Sequence, residues 1–322
     1  KHEGENPTGS FKDRGMTVAI SMAKQLGFNR VACASTGNTS ASMASYAASA
    51  GMRSYVFVPD GKISSAKLSQ ALASGALTLQ LSGNFDDAMR AIEQICNEEN
   101  IYLVNSINPF RIEGQKAIAF ELMQDLEWKA PDWIIVPGGN LGNNSAIIKG
   151  LMQLRELNLI DKLPKVAVIQ AAGANPLAVA WRKHLPVKPM ADPKTIASAI
   201  CIGNPVSWSR SIRSIQEVGG CVDDVYDAEI LDAKAIVDAS GIGAEPASCA
   251  TVAGLKKLVE KNVVKKEETV CCVLTGHALK DTETTSRYHE GQFLHTARRY
   301  RNPPVKVECS MAAIREVLKN HD

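Results

Sequence analysis

Residues 132–157 read DWIIVPGGNLGNNSAIIKGLMQLREL. Asp132 to Pro137 has the β-branched and aromatic content of a buried strand, glycines at 138, 139 and 142 interrupt it, and from Asn143 to Leu157 apolar residues recur at helical spacing. A strand that passes into a helix through a short glycine-rich loop is the repeating unit of a parallel sheet. The unit recurs elsewhere: RVACAS (30–35) before a helix over 39–50, SYVFVP (54–59) before 64–74, LTLQL (77–81) before 86–99, and KVAVIQA (165–171) before 176–182. These predict an α/β protein of open, mostly parallel sheets with helices on both faces. The stretch from Leu185 to Ser207, with prolines at 186, 189, 193 and 205, reads as a surface excursion rather than a domain boundary.

The chain has 322 residues, 45% of them apolar, enough for one large or two medium domains with a substantial core. A net charge of +2 and the lack of a basic run interleaved with aromatics argue against a nucleic-acid or membrane-surface partner. No apolar run reaches membrane-spanning length and no signal peptide is visible, so a cytoplasmic protein is expected, an organelle remaining open. Eight scattered cysteines without a C-x-x-C pair read as reduced thiols, and His289 and His295 lack the spacing of a zinc helix, so no metal is expected. The sequence opens at Lys1 directly on a motif, and an upstream segment is expected.

In open parallel sheets, ligands collect at the C-terminal ends of strands. The loop VPGGNLGNNS (136–145) has glycines that admit close backbone approach and a following helix that aims its N-terminus at the same place, which together make a phosphate cradle; a tight turn without a ligand is the alternative. It is neither G-x-G-x-x-G nor a P-loop. ASTGNTSAS (34–42) offers free N–H groups and the Asn38 side chain, but reads equally as a capped helix start. TVCCVLTGHALKD (269–281) is a buried strand ending at Thr275 and Gly276. At the other end of the chain, NPTGSFKDRG (6–15) reads as a turn, an N-cap at Ser10 and a helix over 11–26, which puts Lys12 in a first turn where the helix dipole disfavours an ammonium. A Schiff-base lysine, a phosphate cradle and a hydroxyl at a strand end are the parts needed to hold pyridoxal phosphate.

NPTGSFKDRG, STGNTSAS, NSINPFRIEGQK, PGGNLGN, GAEPASCATVAGL and LTGHALKD, in this order along nearly the whole chain, resemble the threonine synthase family. The resemblance implies the tryptophan synthase β-subunit-like fold, fold type II of pyridoxal-phosphate enzymes. The residues then divide into a large cofactor-binding domain, 1–29 with 107–322, and a small mobile α/β domain, 30–106. It also implies conversion of O-phospho-L-homoserine and water to L-threonine and phosphate, in a homodimer. By resemblance, Lys12 joins the cofactor and moves protons at the substrate's α and β carbons. Asn38 bonds the cofactor's 3′-oxygen, Gly139, Asn140, Leu141, Gly142 and Asn143 hold its phosphate, and Thr275 faces the pyridine nitrogen. Asn105, Ser106 and Arg111 bind the substrate's phosphate, with Thr39 and Asn143 as further candidates, and the backbone from Ser35 and Thr36 to Asn38 takes its α-carboxylate. One departure is Ala278, where the family often has glycine. The nearest rival inside the fold is a threonine or serine dehydratase, which needs no second phosphate site; from another class, a cofactor-less metabolite-binding paralogue would lack any use for Lys12.

Overall fold

The computed structural model describes residues 1–60, 65–82, 85–293 and 300–320. Eight strands run through it: β1 (Arg30–Ala34), β2 (Arg53–Pro59), β3 (Leu77–Leu81), β4 (Tyr102–Leu103), β5 (Trp133–Pro137), β6 (Lys165–Ala171), β7 (Cys221–Val225) and β8 (Val270–Cys272). They form two four-stranded sheets, ordered β3-β2-β1-β4 and β7-β6-β5-β8. Every pairing is parallel, with Cys33 opposite Val56 in the first sheet and Ile135 between Ala167 and Cys272 in the second. The two sheets share one topology. In each, three strands are laid outward in chain order and the fourth returns to the far side of the first, which leaves a crevice where the winding direction reverses.

Burial on both faces explains why the strands read as continuous apolar runs. In the second sheet Ile134, Val136, Val166, Val168 and Val222 point into one core, shared with Ile147, Ile148 and Leu151 of the helix Gly142–Glu156. Trp133, Ile135, Ala167, Ile169 and Val225 point into the other, shared with Ile230, Ala247 and Ala250 of the helices Asp227–Ala239 and Pro246–Glu260. In the first sheet Val31, Cys33, Val56 and Val58 pack against Met16, Ala19, Ile20 and Ala23 of the helix Lys12–Gln25 and Met43, Ala44 and Ala47 of the helix Asn38–Ser49. Ala32 and Phe57 on the opposite face meet Ile92 and Cys96 of the helix Phe85–Glu98.

Most expected elements fall within two residues of their predicted bounds; Ser64, the expected start of the third helix, lies outside the described residues, as does His295. Four readings change. The strand expected to be buried up to Thr275 ends at Cys272 and is only partly buried over Val270–Cys272, though Leu274 and Thr275 beyond it are buried. The strand β7 is not foreseen, because CVDDV carries two buried acids; Arg182 and Lys257 pair with both Asp223 and Asp224, and Lys261 with Asp223. The stretch from Leu185 to Ser207 is not wholly superficial, since Ala197 and Ile200 are buried in the second sheet's core. At the first helix the N-cap is Phe11 rather than Ser10, whose Oγ accepts only a long bond of 3.4 Å from the Lys12 N–H.

Candidate active site

The crevice of the second sheet lies between the ends of β5 and β8. After β5 the chain enters the loop 138–141 under close constraint: a Cβ on Gly138 would stand 2.8 Å from Val168 Cγ1, and one on Gly139 would stand 3.3 Å from the Ala199 carbonyl. Leu141 is held at φ 64°, a left-handed conformation that costs an L-residue about 1 kcal/mol, and its buried side chain in the core anchors the turn. The helix Gly142–Glu156 that follows has no side-chain cap and no acid in its first turn. Among the described residues no protein acceptor takes the N–H groups of Gly139, Asn140, Leu141 or Gly142. Free N–H groups at an uncapped helix start suit an anion, and the loop has the makings of a cofactor-phosphate cradle.

Thr275, three residues past β8, is buried and has its Oγ1 3.2 Å from Ser248 Oγ. The N-terminal segment docks onto this strand end. Phe11 donates its N–H to the Thr275 carbonyl at 2.9 Å, Ser10 bridges to Gly276, and Gly9, at φ +82°, closes the preceding turn by donating to the Asn6 carbonyl at 2.8 Å. Thr8 donates its N–H and Oγ1–H to the buried Asp13 carboxylate at 2.7 and 2.6 Å, which fixes the turn to the helix. Lys12 is thereby carried to the crevice. Burial first and then the Arg111 guanidinium push its amine down to about 7, against a pull from Glu245 in the other direction. A near-neutral amine beside a phosphate cradle and a buried hydroxyl fits pyridoxal phosphate.

The crevice of the first sheet lies between β1 and β4. Ser35 and Thr36 form the loop after β1, and Asn38 and Thr39 open an uncapped helix that has no acid in its first turn. Asn105 and Ser106 follow β4; the Asn105 Oδ1 accepts the Ala34 N–H at 2.9 Å, so only its amide nitrogen is left for a ligand. Arg111, on the short helix Pro109–Gln115, is 1% exposed. Among the described residues its guanidinium makes one hydrogen bond, from Nη1 to the Val104 carbonyl at 3.3 Å, its Nε has no partner and no carboxylate pairs with it; burial pushes its pKa down to about 10. A buried guanidinium without a carboxylate is costly, and an anionic ligand is the natural compensation. Asn143 links the two crevices through a 3.3 Å bond to Gln115. Its unpaired Oδ1 asks for a donor, so it suits an anion only with its amide turned over, which an amide partner such as Gln115 permits.

Several residues here escape the sequence reading. Glu245 and Ser248 lie inside GAEPASC, where only their place in a motif marks them; Glu245 accepts from Asn38, and Ser248 accepts the Gly276 N–H at 2.9 Å. A cavity of about 300 Å³ beside Ser106 is lined also by Ser207, Ser209, Arg210 and Arg213. The Ser207 N–H donates to the Asn140 carbonyl at 3.2 Å, which joins that cavity to the cradle loop. Among the described residues no group of His, Cys, Asp and Glu has the arrangement of a metal site, and no helix is long and apolar enough to cross a membrane.

The sequence profile of the pyridoxal-phosphate dependent enzyme family matches residues 1–276. The chain is 47% identical over 321 residues to the threonine synthase of Methanocaldococcus jannaschii, which covers 99% of this chain and 76% of that protein. It is 48% identical over 320 residues to that of Methanosarcina acetivorans, with the same shares covered. Among solved structures, the processed form of threonine deaminase isoform 2 from Solanum lycopersicum matches with a TM-score of 0.74 at 18% identity over 86% of this chain and 74% of that one. Maize serine racemase matches with a TM-score of 0.73 at 19% identity over 89% and 85%. Those two likenesses show the fold, that of fold type II pyridoxal-phosphate enzymes. With the family profile over residues 1–276 and relatives of one kind at 47–48% identity, each covered to 76%, the chain belongs to the threonine synthase family of pyridoxal-phosphate dependent enzymes.

Proposed function

We propose that this chain is a threonine synthase whose substrate is O-phospho-L-homoserine, and that its two crevices hold two different phosphates. The observation that supports the proposal is Arg111, a buried cation with no carboxylate partner among the described residues, on the short helix beside the first sheet's crevice. Pyridoxal phosphate, when bound, supplies an electron sink for the substrate's α carbon. The chain does the rest. Lys12, with an amine near neutrality, takes protons from the α and β carbons and returns them. Arg111, the Asn105 amide nitrogen, Ser106 and Thr39 hold the substrate phosphate while the Cγ–O bond breaks and its electron pair leaves on phosphate. The N–H groups of Ser35 to Asn38 hold the α-carboxylate, and the hydroxyl of water bonds to Cβ as a proton arrives at Cγ. When the cofactor is bound, Asn38 would contact its 3′-oxygen, Gly139 to Asn143 would hold its phosphate, and Thr275 would meet the pyridine nitrogen as a neutral partner.

The same proposal takes the chain as a cytoplasmic or organellar homodimer whose smaller unit, 30–106, closes on 1–29 with 107–322. Met16, Ala19 and Ile20 pack against the smaller unit's sheet, so closure has to slide across that contact. The test is incubation of the cofactor-loaded protein with O-phospho-L-homoserine. Equal amounts of phosphate and threonine support the proposal; keto acid from serine or threonine, with no phosphate released, makes the chain a dehydratase.

A further inference from the structure

Glu245 stands at the N-cap of the helix Pro246–Glu260, yet its side chain does not cap that helix. It points away, 6% exposed, to the other sheet's crevice, where Asn38 Nδ2 donates to Oε1 at 3.2 Å and to Oε2 at 3.1 Å. Room for the carboxyl exists because residue 276 is glycine: a Cβ there would lie 2.5 Å from both the carboxyl carbon and Oε1 of Glu245. The Glu245 N–H is tied to the Gly276 carbonyl at 2.9 Å, so the side chain is anchored at its base. A carboxyl placed with this much constraint, and spent on one amide rather than on its own helix, has a task in the crevice.

We propose that Glu245 is the positioning residue for Asn38: it grips the amide by its nitrogen end and so fixes the plane in which the amide meets the cofactor. The inference rests on the reading of Asn38 as a cofactor contact. An ionised carboxyl can only accept, so it selects the orientation with nitrogen toward Glu245; a protonated one can donate to the amide oxygen and turn the group over. Burial raises the carboxyl's pKa; the Asn38 bond, Lys280 and Lys12 pull it down, and Asp281 pushes it up. Cys249, on the same helix, also senses its charge. The competent, ionised form is therefore lost as pH falls through a pKa above the ordinary carboxylate value.

The experiment uses the cofactor-loaded protein as wild type, Glu245→Gln, Asn38→Ala and the double variant. It reads the rate of cofactor release, the pH titration of the cofactor's visible absorption band, and kcat against KM. Glu245→Gln is expected to speed release roughly tenfold, the loss of one charge-assisted hydrogen bond, to remove the acidic limb of the titration, and to lower kcat more than it raises KM. Since Glu245 acts through Asn38, the double variant should release the cofactor no faster than Asn38→Ala. Glu245→Asp keeps the charge but draws it back by one carbon, and should also speed release, which covers the case of a poorly folded Gln variant. Wild-type release and titration in the Gln or Asp variant would overturn the inference, as would effects of the two single changes that multiply in the double. The release and titration readouts need no substrate, so they stand even if the chain acts on something other than O-phospho-L-homoserine.

Discussion

The two sheets are wound alike and end in equivalent crevices, yet they are furnished differently. At the second crevice the binding surface is backbone: glycines pressed against Val168 and Ala199, a left-handed Leu141, and free N–H groups at a helix start. At the first it is side chains, with a guanidinium buried at a cost, bonded to the Val104 carbonyl and paired with no carboxylate among the described residues. The supporting strands differ in the same sense, since every residue of β5 is buried whereas β4 has two residues, both partly exposed. A rigid backbone cradle suits a resident cofactor, which need not leave. A charged side chain suits an anion that arrives, is cleaved and departs, because a guanidinium attracts a dianion strongly and the attraction weakens once the phosphate is released and protonated or hydrated.

The largest expected effect removes the amine the proposal gives the proton transfers to. Lys12→Ala should lower turnover by at least about a thousandfold and abolish the visible absorption band of bound cofactor, while circular dichroism stays that of the wild type. Next comes the charged crevice. Arg111→Met should lower kcat/KM for phosphohomoserine by roughly thirty- to a thousandfold, the loss of a charged hydrogen bond to phosphate, and leave cofactor content unchanged. It should also make the ligand-free protein as stable as wild type or more so, in urea melts, because it replaces a buried cation that has no carboxylate partner among the described residues with apolar volume. The backbone crevice should respond in the opposite way: Gly138→Ala drives a Cβ toward Val168 and Gln170, and should destabilise the protein by about 1–3 kcal/mol and weaken cofactor binding.

How much of this contrast is legible in the sequence depends on what each crevice is made from. A backbone cradle needs glycines at fixed places, so PGGNLGN announces itself, and strands buried on both faces announce themselves as apolar runs. A side-chain crevice is assembled from distant segments. Arg111 by residue type alone reads as a surface ion pair; the motif around it points to a phosphate, and its burial with no carboxylate partner among the described residues fits that reading. Glu245 is hidden for the same reason, because its partner Asn38 is 207 residues away. The strand β7 is hidden because the cations that neutralise Asp223 and Asp224 lie in other helices.

Smaller effects sharpen the contrast further. In the cofactor-free protein the rate at which Lys12 captures added pyridoxal phosphate should rise through a midpoint near pH 7, the value to which burial and Arg111 push it, since the neutral amine is the reactive form. Substitution of Arg111 should move that midpoint upward by removing a nearby positive charge. The smallest effect concerns Arg210 and Arg213, exposed at the cavity beside Ser106. Replacing both with alanine should lower kcat/KM for a dianionic substrate a few-fold at low salt and flatten its dependence on ionic strength, with kcat unchanged.

The division of labour between the crevices is tested most directly by phosphorus NMR of the cofactor-loaded protein titrated with inorganic phosphate. A resonance from the cofactor and a second, saturable bound phosphate are expected in the wild type, and Arg111→Met should remove the second while leaving the first unmoved. Loss of both signals, or persistence of both, would contradict the assignment of separate sites to the two phosphates.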